Sequence, residues 1–193
     1  ISPILKALES EWYSTSTPIQ EKAIPHILEW KDVLGCAQTW TGKTAAFALP
    51  VLERLDTNSR DIQTLILTPT RELAIQVAEE IRSFADSSVK IQLLYWGQHI
   101  RDELSGLRSG PQIVVGTPGR VIDHLTKRKT LNIDKIKYFI LDEADEMLNT
   151  GFKEEIEEII TFTPNEKKVL LFSATMPKSI KDIVNKYIKD HDL

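Results

Sequence analysis

The sequence predicts one α/β domain built on a mostly parallel, doubly wound sheet with helices on both faces. Three observations carry this. Short runs rich in Val, Ile and Leu recur without the apolar/polar alternation of a half-exposed strand, as expected for strands buried on both faces. Between them lie helically spaced segments of about 10–15 residues, the mark of parallel strands joined by crossover helices. The 193 residues, 41% hydrophobic and 27% charged, suffice for one buried core. No repeat, low-complexity tract or Pro/Gly/Ser-rich linker divides them, so residues 1–193 read as a single domain.

In chain order, residues 1–30 read as two helical segments separated by the Ser/Thr-rich loop 14–17 and Pro18. Strands are predicted at 32–37, 64–69, 90–95, 112–116, 137–142 and 168–173. The first leads into a helix over 45–54. The second precedes a helix over 72–84, where Leu73, Val77, Ile81 and Phe84 line one face while Glu79, Glu80 and Arg82 face away. Phe152, Ile156, Ile159 and Ile160 mark a further helix among glutamates.

Twenty-four Lys+Arg against 28 Asp+Glu give a net charge of -4, which excludes a generic basic coat as the basis of nucleic-acid binding. Any such contact has to be local. No run of 18 apolar residues and no signal-peptide pattern is present, so membrane spanning and secretion are not expected. The one cysteine, Cys36, cannot form an internal disulfide, and no Cys/His cluster has metal-ligand spacing. A reducing, cytoplasmic location is predicted, with no membrane partner and a monomeric chain. Cys36 reads as a small core residue, His26, His99, His124 and His191 as surface residues, and Lys127-Arg128-Lys129 as a solvated helix end.

In open parallel sheets ligands bind beyond the carboxyl ends of the strands. The first strand runs into Ala37-Gln38-Thr39-Trp40-Thr41-Gly42-Lys43-Thr44 and then a helix. This resembles the phosphate loop, whose backbone N–H groups and helix N-terminus wrap phosphates, with the lysine on the β/γ-phosphates and the hydroxyl on Mg²⁺. Gly-Lys-Ser/Thr alone arises by chance in roughly one chain in ten of this length; the strand-loop-helix context gives it weight. The fifth apolar run ends in Asp142-Glu143-Ala144-Asp145. A carboxylate at a strand tip beside a phosphate loop can hold Mg²⁺ through water, and a second can orient or deprotonate the attacking water. Standing alone, the same stretch also fits an acidic helix cap.

With the phosphate loop, this D-E-A-D string makes the sequence resemble the first, N-terminal RecA-like domain of a DEAD-box ATP-dependent RNA helicase. The resemblance spans nearly the whole chain in order. Tyr13 followed by Thr17-Pro18-Ile19-Gln20 matches the adenine-reading Q motif; after the phosphate loop come Pro69-Thr70-Arg71-Glu72-Leu73-Ala74, Trp96-Gly97, Thr117-Pro118-Gly119-Arg120, the D-E-A-D string and Ser173-Ala174-Thr175. It implies ATP and Mg²⁺ as cofactors, a RecA-like P-loop fold, and RNA as partner.

By that resemblance Tyr13 and Gln20 meet adenine, while Ala37, Gln38, Thr39, Trp40, Thr41, Gly42, Lys43 and Thr44 wrap the phosphates. Thr44 and Asp142 hold Mg²⁺, largely through water, and Glu143 the attacking water. RNA would be held by its sugar-phosphate backbone through Pro69, Thr70, Arg71, Glu72, Gly97, Gln98, Thr117, Pro118, Gly119 and Arg120, contacts without sequence information. Asp145, Ser173 and Thr175 would couple hydrolysis to unwinding; a plain helix-capping role fits Ser173 and Thr175 as well. Nothing in the chain matches the family's second RecA-like domain, so the chain alone is expected to be nearly inactive. Two rivals remain: a non-catalytic scaffold whose phosphate site Trp40 fills, and a P-loop ATPase acting on DNA or protein.

The sequence departs from the family at Trp12, Trp30, Trp40 and Trp96, each standing where the resemblance implies glycine, and Ser16 stands where proline is usual. A side chain where φ is positive costs about 1–2 kcal/mol. Trp12 and Trp30 are expected to incur that cost, Trp96 to obstruct the RNA path and Trp40 to weaken nucleotide binding.

Overall fold

The buried apolar runs pair into one six-stranded sheet in the computed structural model, which describes residues 16–38 and 41–189. Trp12, Tyr13, Thr39, Trp40 and His191 lie outside those described residues. The elements are α1 (Pro18–Leu28), β1 (Val33–Cys36), α2 (Lys43–Glu53), β2 (Thr64–Leu67), α3 (Arg71–Phe84), β3 (Ile91–Leu94), α4 (Ile100–Arg108), β4 (Ile113–Gly116), α5 (Pro118–Thr126), β5 (Tyr138–Leu141), α6 (Ala144–Asn149), α7 (Lys153–Thr161), β6 (Lys168–Ser173) and α8 (Lys178–Tyr187). All five strand pairings are parallel, in the order β1-β6-β5-β2-β4-β3.

Because side chains alternate along a strand, each strand feeds both layers. Ile66, Ile140, Leu170 and Phe172 pack beneath α1, α2 and α3. Leu65, Leu67, Phe139, Leu141 and Leu171 face α5, α6, α7 and α8. The chain segments after β1 and β2 thus turn to one face and those after β5 and β6 to the other. That divergence opens a crevice at the carboxyl ends of the central strands. β3, at the sheet's edge, is the least buried strand.

The differences from expectation have local causes. The strand predicted over 32–37 is shorter because Asp32 leaves the ladder: its buried carboxylate accepts N–H bonds from Val169 at 2.8 Å and Lys189 at 2.7 Å. The helix predicted over 45–54 starts earlier, at Lys43, with Gly42 as its N-cap. Cys36 is exposed rather than a core residue. His124 is fully buried rather than on the surface. Trp30 does adopt positive φ, 62°, with its ring edge-on to Tyr138 at 5.2 Å.

Gly116 ends β4 where no Cβ fits: one built there would stand 2.7 Å from the Leu94 carbonyl oxygen of the neighbouring strand and 2.7 Å from Val121. Since the Leu94 oxygen is backbone, Gly116→Ala is expected to cost about 1–3 kcal/mol and lower Tm by roughly 2–12 °C. An unchanged thermal melt would mean that β3 yields without cost.

Candidate nucleotide and nucleic-acid site

Gly42 reverses the chain between the phosphate loop and α2 in the left-handed region, φ 78°. A Cβ here would sit 2.6 Å from Gln20 Nε2, so the position needs glycine for space as well as conformation. Gln20 is buried against it. Its Nε2 donates to the Gly42 carbonyl at 3.1 Å and its Oε1 accepts from Thr17 N–H at 3.0 Å, closing the N-terminal box of α1. The carboxamide expected to read adenine therefore also ties α1 to the phosphate loop. On the other side Ala37 N–H donates to the Ser173 carbonyl, and Thr41 Oγ1 donates to the Gln38 carbonyl.

Lys43 and Thr44 open α2, and both are buried. The Lys43 ammonium lies 3.0 Å from Asp142 Oδ1 and 3.5 Å from Glu143 Oε1. Asp142, at the tip of β5, is 0% exposed. Burial pushes its carboxyl above the usual carboxylate range, against the pull of the Lys43 ammonium. Apart from that Lys43 contact on Oδ1, neither of its oxygens has a well-aligned hydrogen-bond partner among the described residues. Such unfilled lone pairs beside a buried hydroxyl suit a hydrated hard cation that takes its remaining ligands from phosphate and water. No group of three or more His, Cys, Asp or Glu with metal-holding geometry exists among the described residues, so the protein alone offers no closed metal cage. Glu143 starts α6 at φ 53°, ψ 51°, a conformation rarely adopted by a residue with a Cβ and one that costs about 1–2 kcal/mol.

These groups and α3 enclose a cavity of about 50 Å³. Gln76 and Glu80 complete its wall. Sequence periodicity turned Glu80 toward solvent; it stands instead at the border of the apolar stripe, one turn beyond Gln76. Beyond the cavity, Asp145 Oδ2 accepts from Thr175 Oγ1 at 2.8 Å and Thr175 N–H at 3.2 Å, while Ser173 Oγ donates to the Thr175 carbonyl at 2.6 Å. Burial opposes ionisation of Asp145, but bonds from Thr175 and the Glu146 N–H outweigh it and hold the carboxyl below its usual range.

The remaining motifs gather at the ends of β2, β3 and β4. Thr70 caps α3, its Oγ1 accepting from Leu73 N–H at 3.2 Å. Arg71 is exposed, pairs with neighbouring Glu72, and passes close to Gly97, which has φ 110°. Thr117 stands at the N-cap position of α5 without a side-chain capping bond, and Pro118 follows in the first turn. Arg120 is not a free cation: it is 3% exposed, bound to Glu103 through Nε at 2.7 Å and to Asp123 at 3.3 Å, and its guanidinium lies 4.3 Å from the centre of the Trp96 ring. Glu103, wholly buried, also meets His124 Nε2 at 3.2 Å, and with its amide nitrogen facing acceptors Gln98 donates to Glu103 Oε2 at 3.0 Å. The sequence singled out none of Glu103, Asp123 and His124 as part of this cluster. Only the Arg120/Asp123 spacing, three residues on one helix face, hinted at it. Trp96 itself is 56% exposed, with its Nε1 3.3 Å from where a Cβ on Gly119 would stand.

A family model described as DEAD/DEAH box helicase matches residues 17–183. The ATP-dependent RNA helicase CshA of Limosilactobacillus reuteri is 53% identical over 188 residues, which cover 97% of this chain and 38% of that protein. The ATP-dependent RNA helicase DeaD of Escherichia coli K12 is 50% identical over 191 residues, 98% of this chain and 30% of that protein. The crystal structure of a DEAD box protein from Methanococcus jannaschii matches with a TM-score of 0.94 at 45% identity, covering 100% of this chain and 53% of that chain. The chain thus spans 30–38% of the length of these two curated relatives.

Gln20 yields a prediction separable from nucleotide binding. Gln20→Ala removes two side-chain hydrogen bonds, about 0.5–1.5 kcal/mol each, and is expected to lower the Tm of ligand-free protein by roughly 2–12 °C. A residue serving only to read a base would leave that melt unchanged.

Proposed function

The chain belongs to the DEAD/DEAH box helicase family, and from that premise we propose that it is the ATP-binding half of an RNA-dependent ATPase that separates short RNA duplexes. The observation that carries this is the fully buried Asp142 carboxylate, 3.0 Å from the phosphate-loop lysine and with no other well-aligned hydrogen-bond partner among the described residues. No helix among the described residues is long and apolar enough to cross a membrane. The proposal places the chain in the cytoplasm as a monomer, and a single cysteine that cannot form an internal disulfide fits a reducing compartment.

Thr44 and Asp142 would hold Mg²⁺ largely through water, and the ion, when bound, neutralises charge on the β- and γ-phosphates. The chain's own groups do the positioning. The Lys43 ammonium sets the phosphates, and the N–H groups at the start of α2 donate to their oxygens. Glu143 Oε1 orients the attacking water and takes its proton as the water oxygen bonds to the γ-phosphorus and the bond to the bridging oxygen breaks. The N-termini of α3 and α5, with exposed Arg71, suit a phosphodiester backbone; buried Arg120 would act on RNA through the loop it braces. Asp145, Ser173 and Thr175 tie the acidic loop to the end of β6 and would carry the change at the phosphates onward. In this reading a second RecA-like domain supplies an arginine across the cleft, worth about 10³–10⁵ in rate, so the 193-residue chain alone is nearly inactive.

Trp40, outside the described residues, bears on affinity. A phosphate loop works by closing its backbone around phosphate oxygens at hydrogen-bond distance. An indole in that loop obstructs closure. Losing two or three bonds to a charged group, at about 1.5–3 kcal/mol each, amounts to roughly 3–9 kcal/mol. Calorimetric titration with Mg-ATP is expected to give at least tenfold weaker binding than for Trp40→Gly; equal affinities would overturn the obstruction. Saturable binding by neither protein would favour the scaffold reading.

In a longer protein with glycine at position 40, Glu143→Gln is expected to keep ATP affinity while hydrolysis collapses, because the amide keeps shape and loses the base. Lys43→Ala is expected to weaken binding itself. Equal loss of binding in both variants would refute this division of roles.

A further inference from the structure

At the end of the sheet opposite the phosphate loop, the segments entering β1, β5 and β6 enclose a cavity of about 660 Å³. Its lining includes Trp30, Arg54, Lys135, Lys137 and Lys167 together with Asp134 and Glu166. A neighbouring cleft of about 420 Å³ shares Lys167 and adds Lys168, Lys186 and Lys189 against Asp32 and Glu157. Among the described residues four cationic side chains line the larger cavity against two carboxylates, and the two spaces together carry seven against four, in a chain whose net charge is -4.

Much of the negative charge there is already engaged. Asp32 accepts two backbone N–H bonds, and Glu157 pairs with Lys186 at 3.4 Å. Among the cations Lys135 pairs with Asp61 at 3.6 Å, but Lys137 and Lys167 have no carboxylate within 4 Å among the described residues. Lys167 is half-buried, its ammonium held only by the Pro164 carbonyl at 3.1 Å, and burial pushes its pKa down against the pull of Asp32. A half-buried ammonium in that state gains from an anion. Trp30, in its left-handed conformation, sets its ring into the wall, with the Arg54 guanidinium and the Lys168 ammonium each 5.7 Å from the ring centre. The indole thereby fixes two cations at the cavity's edge.

The geometry points to a second anion site here, one that takes a small oligophosphate. The volume lies in the range of small-molecule pockets, about 300–1,000 Å³. Four cationic side chains in the larger cavity, with Lys168 at its edge beside Trp30, against two carboxylates suit an anion with more than one phosphate group, and an apolar ligand would leave Lys137 and Lys167 without a counter-charge. The site is separate from the phosphate loop: Lys43 begins α2 and Arg54 follows its end, about 16 Å along the helix. It does not rest on the ATPase reading.

The test uses inorganic tripolyphosphate as probe, titrated calorimetrically into Lys43→Ala protein so that the phosphate loop is weakened. Saturable binding is expected. Reversing two exposed cations, Lys135→Glu with Lys137→Glu, in that background should weaken it at least tenfold with the thermal melt unchanged. Lys167→Gln should weaken it severalfold, a neutral change that guards against misfolding of the double variant. Absence of saturable binding to the Lys43→Ala protein, or binding that these substitutions leave unaltered, would overturn the site.

Discussion

The site depends on one ion pair, Lys43 with Asp142, drawn out of water between the ends of β1 and β5. Two buried charges forfeit several kcal/mol of hydration each, and their attraction repays this only when the remaining hydrogen-bonding capacity is filled. Here it is not filled, since beyond the Lys43 contact itself neither Asp142 oxygen has a well-aligned hydrogen-bond partner among the described residues. A pair of this kind is poor stabilisation by comparison with packed apolar side chains. Its arrangement makes sense as electrostatic preorganisation: cation and carboxylate are set where phosphate and a hard cation would arrive, with the desolvation already incurred in the folded protein. Strands buried on both faces and the crevice at their carboxyl ends supply the dry, rigid frame this requires.

A second buried charge cluster, centred on Glu103, does a different job. Glu103 draws Arg120 and His124 of α5 and Gln98 of the preceding loop toward α4. Two of the segments expected to meet RNA, the Gly97-Gln98 loop and the start of α5, are thereby held by a carboxylate that never reaches the surface. The Asp145–Thr175 bonds act likewise between α6 and the end of β6, while the Ala37–Ser173 bond ties that same strand end to the phosphate loop. The end of β6 is thus hydrogen-bonded both to the phosphate loop and, through Thr175, to the acidic loop, so the two loops share one frame.

Much of the fold was legible because buried parallel strands leave an unbroken apolar signature, and all six apolar runs contain strands. Their ends were less so. Asp32 looks like part of a strand until its carboxylate is seen bonding Val169, 137 residues away. The phosphate-loop and acidic-loop residues could be picked out by spacing, since backbone geometry dictates residue type there. The Glu103 cluster could not: a glutamate in an amphipathic helix looks solvated unless its partner is known, and Arg120 lies 17 residues further on. Glu80 failed for the same reason, as helical periodicity reports the core-facing stripe and not what a neighbouring loop lays over its border.

The tryptophans separate what a fold tolerates from what a site tolerates. Trp30 sits at φ 62°, where the family resemblance implies glycine, and the conformation costs about 1–2 kcal/mol. Its half-buried ring recovers a comparable amount against Tyr138 and under Arg54, because space beside the sheet accommodates it. Trp96 likewise finds a cationic neighbour in Arg120 and leaves Thr117 at the N-cap position of α5. In both cases an aromatic side chain replaces conformational freedom with packing. A phosphate loop offers no such exchange, since its binding surface is the backbone itself: a side chain packed well into that loop occupies the volume that phosphate oxygens need. In such a loop good packing and good binding are therefore opposed, whereas the Trp30 ring packs beside the sheet, away from any surface of that kind.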